Sequence, residues 1–551
     1  MNKTLKSFLF PVLLLVINVV SLLFFIRKDL TEEKRYSLSD ASKNLVTGLE
    51  APIDVLVFLD GEELPNGFER LKQAAKETLD EFKNYGGAKL TYRFFDPNSI
   101  GDPAQRNAYL DSLYRKNIQP TNVFDTDGGR KTETLVFPYA LISYQEKEQS
   151  MLLLQGNQAL SAEEKLNQSY ENLEYSFATA FRKLTQKERK KVGLLKDFTS
   201  LDPMNFAGLI GGLQEYYDLF FVDAATSESF IGLDVLILPK PDIRIDDATK
   251  FKIDQYIMNG GKALFFLDGL KLDSIGLEGT YAQTFDYNLQ DLFFKYGIRI
   301  NQDMIKDGAS ASLIPLVVGN MGDKPNIQPI PYRFHPLINN FGESLITKNL
   351  DLVQTKFVSS IDVVGDGEIN KTALLKTTPY TKVLQAPALV TYNDARSNTD
   401  EQEYSQGEKT IAYLLEGEFT SLYKNRILPS DPRSAYFKEK SPDTKMIVCS
   451  DGDLIVNGID KKTGRPIPLG FDKVTQHTFG NKDFIMNAVD YLIDENGVIS
   501  ARGKEVKLRP LDAIKSREMR TQFQLINLVL PSLLIIAFAL LRGLYWRRRY
   551  T

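Results

Sequence analysis

An α/β protein in two bodies, held between two membrane-crossing helices, is expected from three observations. Short apolar runs alternate with amphipathic stretches along most of the chain, the pattern of strands joined by helical crossovers. A basic, polar stretch near residues 182–191 separates two groups of such runs. Uncharged apolar segments, Phe8–Ile26 and Phe523–Leu541, flank the whole. The expected order is a transmembrane anchor over 1–28, a stalk and thioredoxin-like body over 29–186, a doubly wound body over 187–500 with 275–445 inserted, and a linker, membrane helix and basic tail over 501–551.

Bulk composition agrees with this. A chain of 551 residues holds two to four units at about 100–200 residues each. With 43% apolar and 25% charged residues, it has the makings of packed cores and is not a disordered chain. A formal net charge of −4 gives no overall basic field to recruit nucleic acid. The single cysteine, Cys449, excludes an internal disulfide and any CxxC motif. Two histidines, His335 and His477, are a small supply for imidazole chemistry.

Phe8–Ile26 contains only Asn18 and Ser21 as polar side chains. At ~1.5 Å per residue it spans roughly 28 Å, against a hydrocarbon core of ~30 Å. It leaves through Arg27-Lys28-Asp29 with no small-residue cleavage site, so an uncleaved signal anchor is expected. Phe523–Leu541 carries Pro531 at mid-span and is followed by Tyr545, Trp546 and the arginines 542, 547, 548 and 549. Membrane helices tolerate such a proline, and interfacial aromatics and positive-inside charge place both termini in the cytoplasm. The bulk is then periplasmic, on a two-pass chain in a bacterial inner membrane.

In the first body, Ser39 or Asp40 caps a short helix. Ile53–Leu59 is a strand ended by Asp60-Gly61, and Phe68, Leu71, Ala75, Leu79 and Phe82 mark a helix that Gly86-Gly87 stop. Leu90–Phe95 is the next strand, and Leu135–Tyr144 with Ser150–Leu154 form a hairpin. A helix follows over about 170–184. This is a thioredoxin-like order, but Asp60-Gly61-Glu62-Glu63 stands where redox chemistry needs CxxC. The run Arg182, Lys183, Lys187, Arg189, Lys190, Lys191 reads as a solvated boundary near a helix C-terminus.

In the second body, strands at Val192–Leu195, Leu219–Val222, Asp234–Leu238 and Ala263–Leu267 alternate with helices carrying Phe206, Leu209, Leu213 and Ile253, Tyr256, Ile257, hence a doubly wound parallel sheet. Residues 275–445 are less regular, with strands at Leu350–Val364 and Ala388–Tyr392 and a loop over Tyr423–Thr444. Met446–Cys449 and a helix over 481–494 return to the earlier grammar and close the same sheet.

Ligands of such sheets bind outside the carboxyl ends of the strands, where Asp223, Lys240, Asp268, Asp451 and Asp453 collect. A cleft there is the candidate ligand site. Carboxylates suit a hard cation among Asp268, Asp451 and Asp453, but Asp and Gly are also what strand-ending turns require; the simpler reading is preferred, with no metal expected. Cys449 ends a strand and reads as a small buried hydrophobe. His335, in Phe334-His335-Pro336-Leu337, reads as a satisfied turn. Gly260-Gly261-Lys262-Ala263 lacks the upstream glycine and the Ser/Thr of a phosphate loop, and neither HExxH nor GxSxG occurs. No cofactor and no catalytic residue is expected, and energy from nucleotide hydrolysis requires a separate ATPase.

Several stretches, taken in order and spacing, resemble one family: Arg35-Tyr36-Ser37-Leu38-Ser39, Phe58-Leu59-Asp60-Gly61, Pro239-Lys240-Pro241, Asn259-Gly260-Gly261-Lys262, Ser450-Asp451-Gly452-Asp453, Gly480-Asn481-Lys482-Asp483-Phe484 and Arg509-Pro510-Leu511-Asp512. The chain is similar over nearly its whole length to the gliding-motility ABC transporter auxiliary family GldG of Bacteroidetes. The resemblance implies a role beside a GldF-like permease and a GldA-like ATPase, in a complex required for gliding motility, and the family is often called substrate-binding. It also implies kinship with a wider ABC-auxiliary group whose α/β domain is amidotransferase-like and shared with an intraflagellar-transport protein. Fold does not carry function, and the amidotransferase nucleophile is not recognisable here. The favoured expectation is a non-catalytic, membrane-anchored auxiliary subunit. The alternatives are a tethered solute receptor using the strand-end cleft and, less favoured, a hydrolase using Cys449.

Overall fold

The computed structural model describes residues 37–61, 64–127, 130–154, 159–365, 369–396, 401–428, 430–494, 497–503 and 519–550. The apolar run Phe8–Ile26 lies outside them. The chain divides into two units, one ending at Lys504 and one beginning at Glu505.

The first unit begins with helix α1 (Asp40–Thr47), whose cap is Ser39: its hydroxyl accepts from Ser42 N–H at 3.2 Å. Strand β1 (Ile53–Val57) alternates buried and half-buried residues. Helix α2 (Asn66–Gly86) buries Phe68, Leu71, Ala75, Leu79 and Phe82 and stops at Gly87, where φ is +59°. Strand β2 (Leu90–Phe94) pairs parallel with β1, as a helical crossover requires. Helix α3 (Pro103–Arg115) and the hairpin β3 (Thr121–Asp127)–β4 (Arg130–Val136) follow. Strands β5 (Tyr139–Tyr144) and β6 (Lys147–Leu152) complete a four-stranded sheet ordered β2-β1-β5-β6. Helix α4 (Ala162–Thr185) opens with a capping box between Ser161 and Glu164 and is a full two turns longer than the apolar spacing at 170–184 indicates. Its Phe181 meets Phe82 edge-on, ring centroids 5.2 Å apart.

An eight-stranded sheet forms the larger body. Strands β7 (Lys191–Leu195), β8 (Asp218–Val222), β9 (Val235–Pro239) and β10 (Lys262–Phe266) are parallel, in the order β8-β7-β9-β10. Helices α5 (Ala207–Tyr216) and α6 (Asp247–Met258) connect them. The runs are apolar throughout because both sheet faces are covered. Val192, Leu194, Val235, Ile237, Leu264 and Phe266 pack on one face with Leu209 and Leu213 of α5. Leu195, Leu236, Leu238, Ala263 and Phe265 pack on the other with Ile253, Tyr256 and Ile257 of α6.

Residues 270–390 supply β11 (Leu270–Lys271), β12 (Thr280–Thr284), helix α7 (Gln290–Lys295), β13 (Ile298–Ile300), β14 (Asp303–Asp307), β15 (Ala311–Met321), β16 (Lys324–Ile338), β17 (Asn340–Phe341), β18 (Val353–Gln354), β19 (Ile361–Val363), β20 (Asn370–Lys376), β21 (Thr381–Gln385) and β22 (Ala388–Val390). Two strands follow, β23 (Thr410–Thr420) and β24 (Lys440–Cys449). β24 pairs parallel with β10, Ala263 opposite Met446 and Phe266 opposite Cys449. Within the stretch 275–445, which follows β10 and runs into β24 in sequence, β17, β20 and β23 extend this sheet antiparallel beyond β24. Phe334-His335-Pro336-Leu337 is mid-strand in β16 and not a turn. Helix α8 (Asn481–Ile493) covers the α5 face through Phe484, Ile485, Ala488 and Val489.

Of the basic run, Lys187 is solvent-exposed as expected, but Arg182 and Lys183 at the end of α4 sit in a largely buried ion-pair cluster. Arg182 Nη2 lies 2.6 Å and Lys183 Nζ 3.3 Å from the Asp490 carboxylate on α8, and Tyr217 Oη donates to Asp490 at 2.6 Å. Burial works against the Asp490 charge, but Lys183 and Arg182 outweigh it and hold its pKa below the ordinary aspartate value.

The second unit contains helix α9 (Arg520–Tyr550). Its segment Arg520–Arg547 is long and apolar enough to cross a membrane. Pro531 sits inside it, and Ser532 Oγ donates back to Leu528 O at 2.9 Å, a local bond that helices in apolar surroundings accommodate.

Candidate functional site

Three adjacent parallel strands end side by side: β9 at Lys240, β10 at Asp268, β24 at Asp451-Gly452-Asp453. Lys240 Nζ bridges the cluster, 2.8 Å from Asp268 Oδ2 and 2.7 Å from Asp453 Oδ2. Asp268 Oδ1 accepts from Gly452 N–H at 2.7 Å. Asp451 is fully buried and accepts from the backbone N–H groups of Asp453 (2.8 Å), Lys356 (3.0 Å) and Leu454 (3.2 Å). A side chain at 452 would put its Cβ 2.5 Å from Lys240 Cγ, so glycine there is a condition of the lysine's seat.

The electrostatics follow from burial with Lys240 bridging several anions and Lys356 near them. Burial opposes the Lys240 ammonium, yet Asp268 and Asp453 outweigh it and hold its pKa above the ordinary lysine value. Burial, with the neighbouring Asp453, raises Asp268 against the pull of Lys240, and raises Asp451 further. Asp453 goes the other way: its burial is overcome by Lys240 and Lys356. The oxygens of Asp268, Asp451 and Asp453 lie within 4.8 Å of one another, a spacing fit for a hard cation. Lys240 already supplies the positive charge there, so the donor set is matched by the chain's own ammonium.

Asp223 stands apart. It follows the edge strand β8, with β7 between it and β9, roughly 10 Å away at ~4.8 Å per strand. Its Oδ1 accepts from Ala225 N–H (2.9 Å) and Thr226 N–H (3.0 Å), a turn-closing role.

His335 borders the cluster and was not among the residues that the strand-end rule selected. Its Nε2 is buried without a hydrogen-bond partner among the described residues, and its ring stands edge-on to Tyr332 (4.8 Å) and Phe357 (4.7 Å). Burial, then Lys356, lowers its pKa to about 3, against a smaller opposing effect of Asp453. Its signal in the sequence was only its rarity.

Cys449 is fully buried in the apolar face with Ile447 and Leu414, and burial pushes its thiol well above the usual range. His477 is committed elsewhere, Nε2 to Asp351 Oδ2 at 2.9 Å. No imidazole is hydrogen-bonded to Cys449 among the described residues, so the hydrolase alternative has neither an accessible thiolate nor a positioned base.

Next to the cluster, Gly269 opens onto a cleft of about 580 Å³. Tyr287 walls it and donates its hydroxyl to the Asp268 carbonyl, so one strand end serves both features. Glycine at 269 lets Asn301 O approach to 2.5 Å of where a Cβ would stand.

The first unit thus carries an α/β body with a strand-end cleft, and the second an apolar helix. Comparison with known families supplies the class. The chain belongs to the family described as an ABC-type uncharacterized transport system, whose model matches residues 189–488, and its place is therefore that of an ABC transporter auxiliary protein. Residues 32–143 match a domain of unknown function, DUF7088. Among solved structures, the chain is similar to one described as mmIFT52 N-terminal domain, at 14% identity and a TM-score of 0.29, covering 55% of this chain and 97% of that one. No curated protein matches.

Proposed function

We propose that this chain is a non-catalytic, membrane-anchored auxiliary subunit of an ABC transport complex of the gliding-motility type. It works with a GldF-like permease and a GldA-like ATPase, and its body receives a partner or substrate. The observation that carries the reading is the family match over the larger body, joined in one chain to a helix able to cross a membrane. The full reading adds Phe8–Ile26 as a second span, cytoplasmic termini and a periplasmic bulk. It also takes the β2-β1-β5-β6 unit as thioredoxin-like and the larger sheet as amidotransferase-like. The crossover order of the first and the two-sided burial of the second support those assignments. Lys240, Asp268, Asp451 and Asp453 are the core of the proposed receiving edge, and Asp223 is not needed for it.

The cleft beside Gly269 favours a second reading, a tethered receptor, since its volume lies in the range of ligand sites. The two readings are compatible, as a receptor within a transporter is still a subunit. The deciding experiment is co-expression with the tagged permease and capture in mild detergent. Stoichiometric recovery of this chain is expected. Its recovery alone, with the permease folded and intact, contradicts the proposal.

A further inference from the structure

The edge of a β-sheet presents a row of unpaired backbone N–H and C=O groups, and proteins protect it with charge, proline, a bulge or brevity. Three edges of the two large sheets follow this rule. Strand β2 carries Arg93, β6 carries Lys147 and Glu148, and β17 is only two residues long. The fourth edge, β8, does not. It reads Asp218-Leu219-Phe220-Phe221-Val222, with no proline and no lysine, and its register with β7 runs from Lys191 opposite Asp218 to Leu195 opposite Val222 without a bulge. Its one charge, Asp218, stands at its first position and is paired with Arg189 at 3.7 Å. Phe220 and Phe221 are 46% and 45% exposed.

Backbone direction fixes which groups are free. Asp218 donates its N–H to Lys190 O at 3.0 Å, so Asp218, Phe220 and Val222 turn their backbone groups toward β7. By the alternation of a strand, Leu219 and Phe221 turn theirs outward, where they meet no partner among the described residues. Side chains alternate as well. Leu219 and Phe221 lie opposite Val192 and Leu194, on the face that α5 covers. Phe220 lies on the α6 face opposite Gly193, which brings no side chain to cover the ring.

We propose that β8 pairs antiparallel with β8 of a second copy of this chain, about a twofold axis at Phe220, so that the two eight-stranded sheets become one. The edge is complementary to itself. In this register Leu219 faces Phe221 of the second copy, and Phe221 faces its Leu219, so outward-turned residues meet outward-turned residues and all their backbone groups are paired. Phe220 meets its own copy across the axis, on the face that Gly193 leaves bare. Asp218 stands across from Val222, so no charge opposes a like charge. A slip of one residue sets outward groups against groups already bonded to β7. A slip of two sets Leu219 or Phe221 against residues beyond the strand's ends. The pairing also closes, as a twofold contact does: it consumes β8 in both copies and leaves the two-residue β17 as the outer edge of the joined sheet. An extended segment of another protein would satisfy the backbone alone, whereas the match of Phe220 to itself and of Leu219 to Phe221 belongs to a second copy.

The test is disulfide trapping of the full chain, purified in mild detergent. The native Cys449 is fully buried, so an introduced surface thiol reacts alone. In the proposed register the Cα atoms of Phe220 and its copy form a non-hydrogen-bonded pair about 4.5 Å apart, within disulfide reach. Phe221 and its copy lie two residues out of register, beyond the ~7 Å limit. Under copper-phenanthroline oxidation, Phe220→Cys is expected to form a covalent dimer at least about tenfold faster than Phe221→Cys. Adding Phe221→Lys to Phe220→Cys is expected to slow trapping about tenfold, as lysine protects an edge, with Cys449 still shielded from maleimide as the sign of an intact fold. No dimer from Phe220→Cys, equal trapping at the two positions, or undiminished trapping in the folded lysine variant overturns the proposal. A different protein as the natural occupant gives the first of these outcomes, because the purified chain then has no partner. Permease capture is scored on the parent chain, so failure here leaves the subunit reading standing.

Discussion

Lys240 is held with φ at +40°, a left-handed backbone that costs a non-glycine residue about 1–3 kcal/mol. Its compensation is on hand: its N–H donates to Phe266 O at 2.9 Å, and its ammonium joins Asp268 and Asp453. The strand-end rule was enough to gather Lys240, Asp268, Asp451 and Asp453 from the sequence, because parallel strands must end on one edge. It could not separate Asp223, since strand order, not sequence order, decides which ends are neighbours. Nor could it find His335, whose placement depends on β16 folding back past the edge. That histidine carries a pH prediction. Its pKa falls to about 3 in the fold, against ~6.5 in the unfolded chain. Between those values the unfolded chain binds a proton that the folded one does not. Stability conferred by the neutral ring is therefore complete above the unfolded value and declines as pH falls from ~6.5 toward 3, at up to ~1.4 kcal/mol per unit. Urea unfolding of the full chain in detergent, at pH 7 and pH 5, should show the His335→Leu variant losing about 2 kcal/mol less than the parent over that interval. Equal losses in both contradict a buried neutral ring.

At the scale of elements, the buried strands were the legible part. Runs such as Val235–Leu238 and Ala263–Leu267 are apolar at every position because helices cover both faces, and that is visible without coordinates. The β15–β16 hairpin was hidden by Pro315, Pro325, Pro329 and Pro331, since proline within a run argues against a strand. Here it is tolerated in a two-stranded arm whose tip exposes Val317, Met321 and Ile327. The loop expected over Tyr423–Thr444 gives way at Lys440 because β24 runs on to pair with β23 as far as Thr420. Glycines make a paired test of local crowding. Gly269→Ala drives a Cβ to 2.5 Å from a backbone oxygen, Asn301 O, and should destabilise by about 1–3 kcal/mol. Gly211→Ala, inside α5 with nothing within 4 Å of the added carbon, should be neutral or stabilise by up to ~1 kcal/mol. Thermal unfolding of both variants checks the contrast, and similar shifts would contradict it.

For the molecule as a whole, the bond between its two α/β layers was invisible in the sequence. Asp490 lies on an apolar-spaced helix, and its partners Arg182, Lys183 and Tyr217 come from hundreds of positions earlier, so no periodicity announces them. A buried cluster of this kind loses about 3–5 kcal/mol when one partner is removed, which fits it to keep the strand-end cleft in fixed relation to the β2-β1-β5-β6 body. Of the apolar ends, Phe523–Leu541 was legible from composition alone and falls within α9, whereas Phe8–Ile26 lies outside the described residues, and the proposed account of partners and compartment depends on both. The central claim of the proposed function is that membrane spans hold the body outside the cytoplasm, beside the transporter. Leu277 is 98% exposed while Cys449 is fully buried, so Leu277→Cys adds one reactive thiol without touching the core. Treated with a membrane-impermeant maleimide, intact spheroplasts carrying this variant should label at position 277 before lysis, with the parent chain unlabelled. Labelling that appears only after lysis would place the body in the cytoplasm and contradict the account.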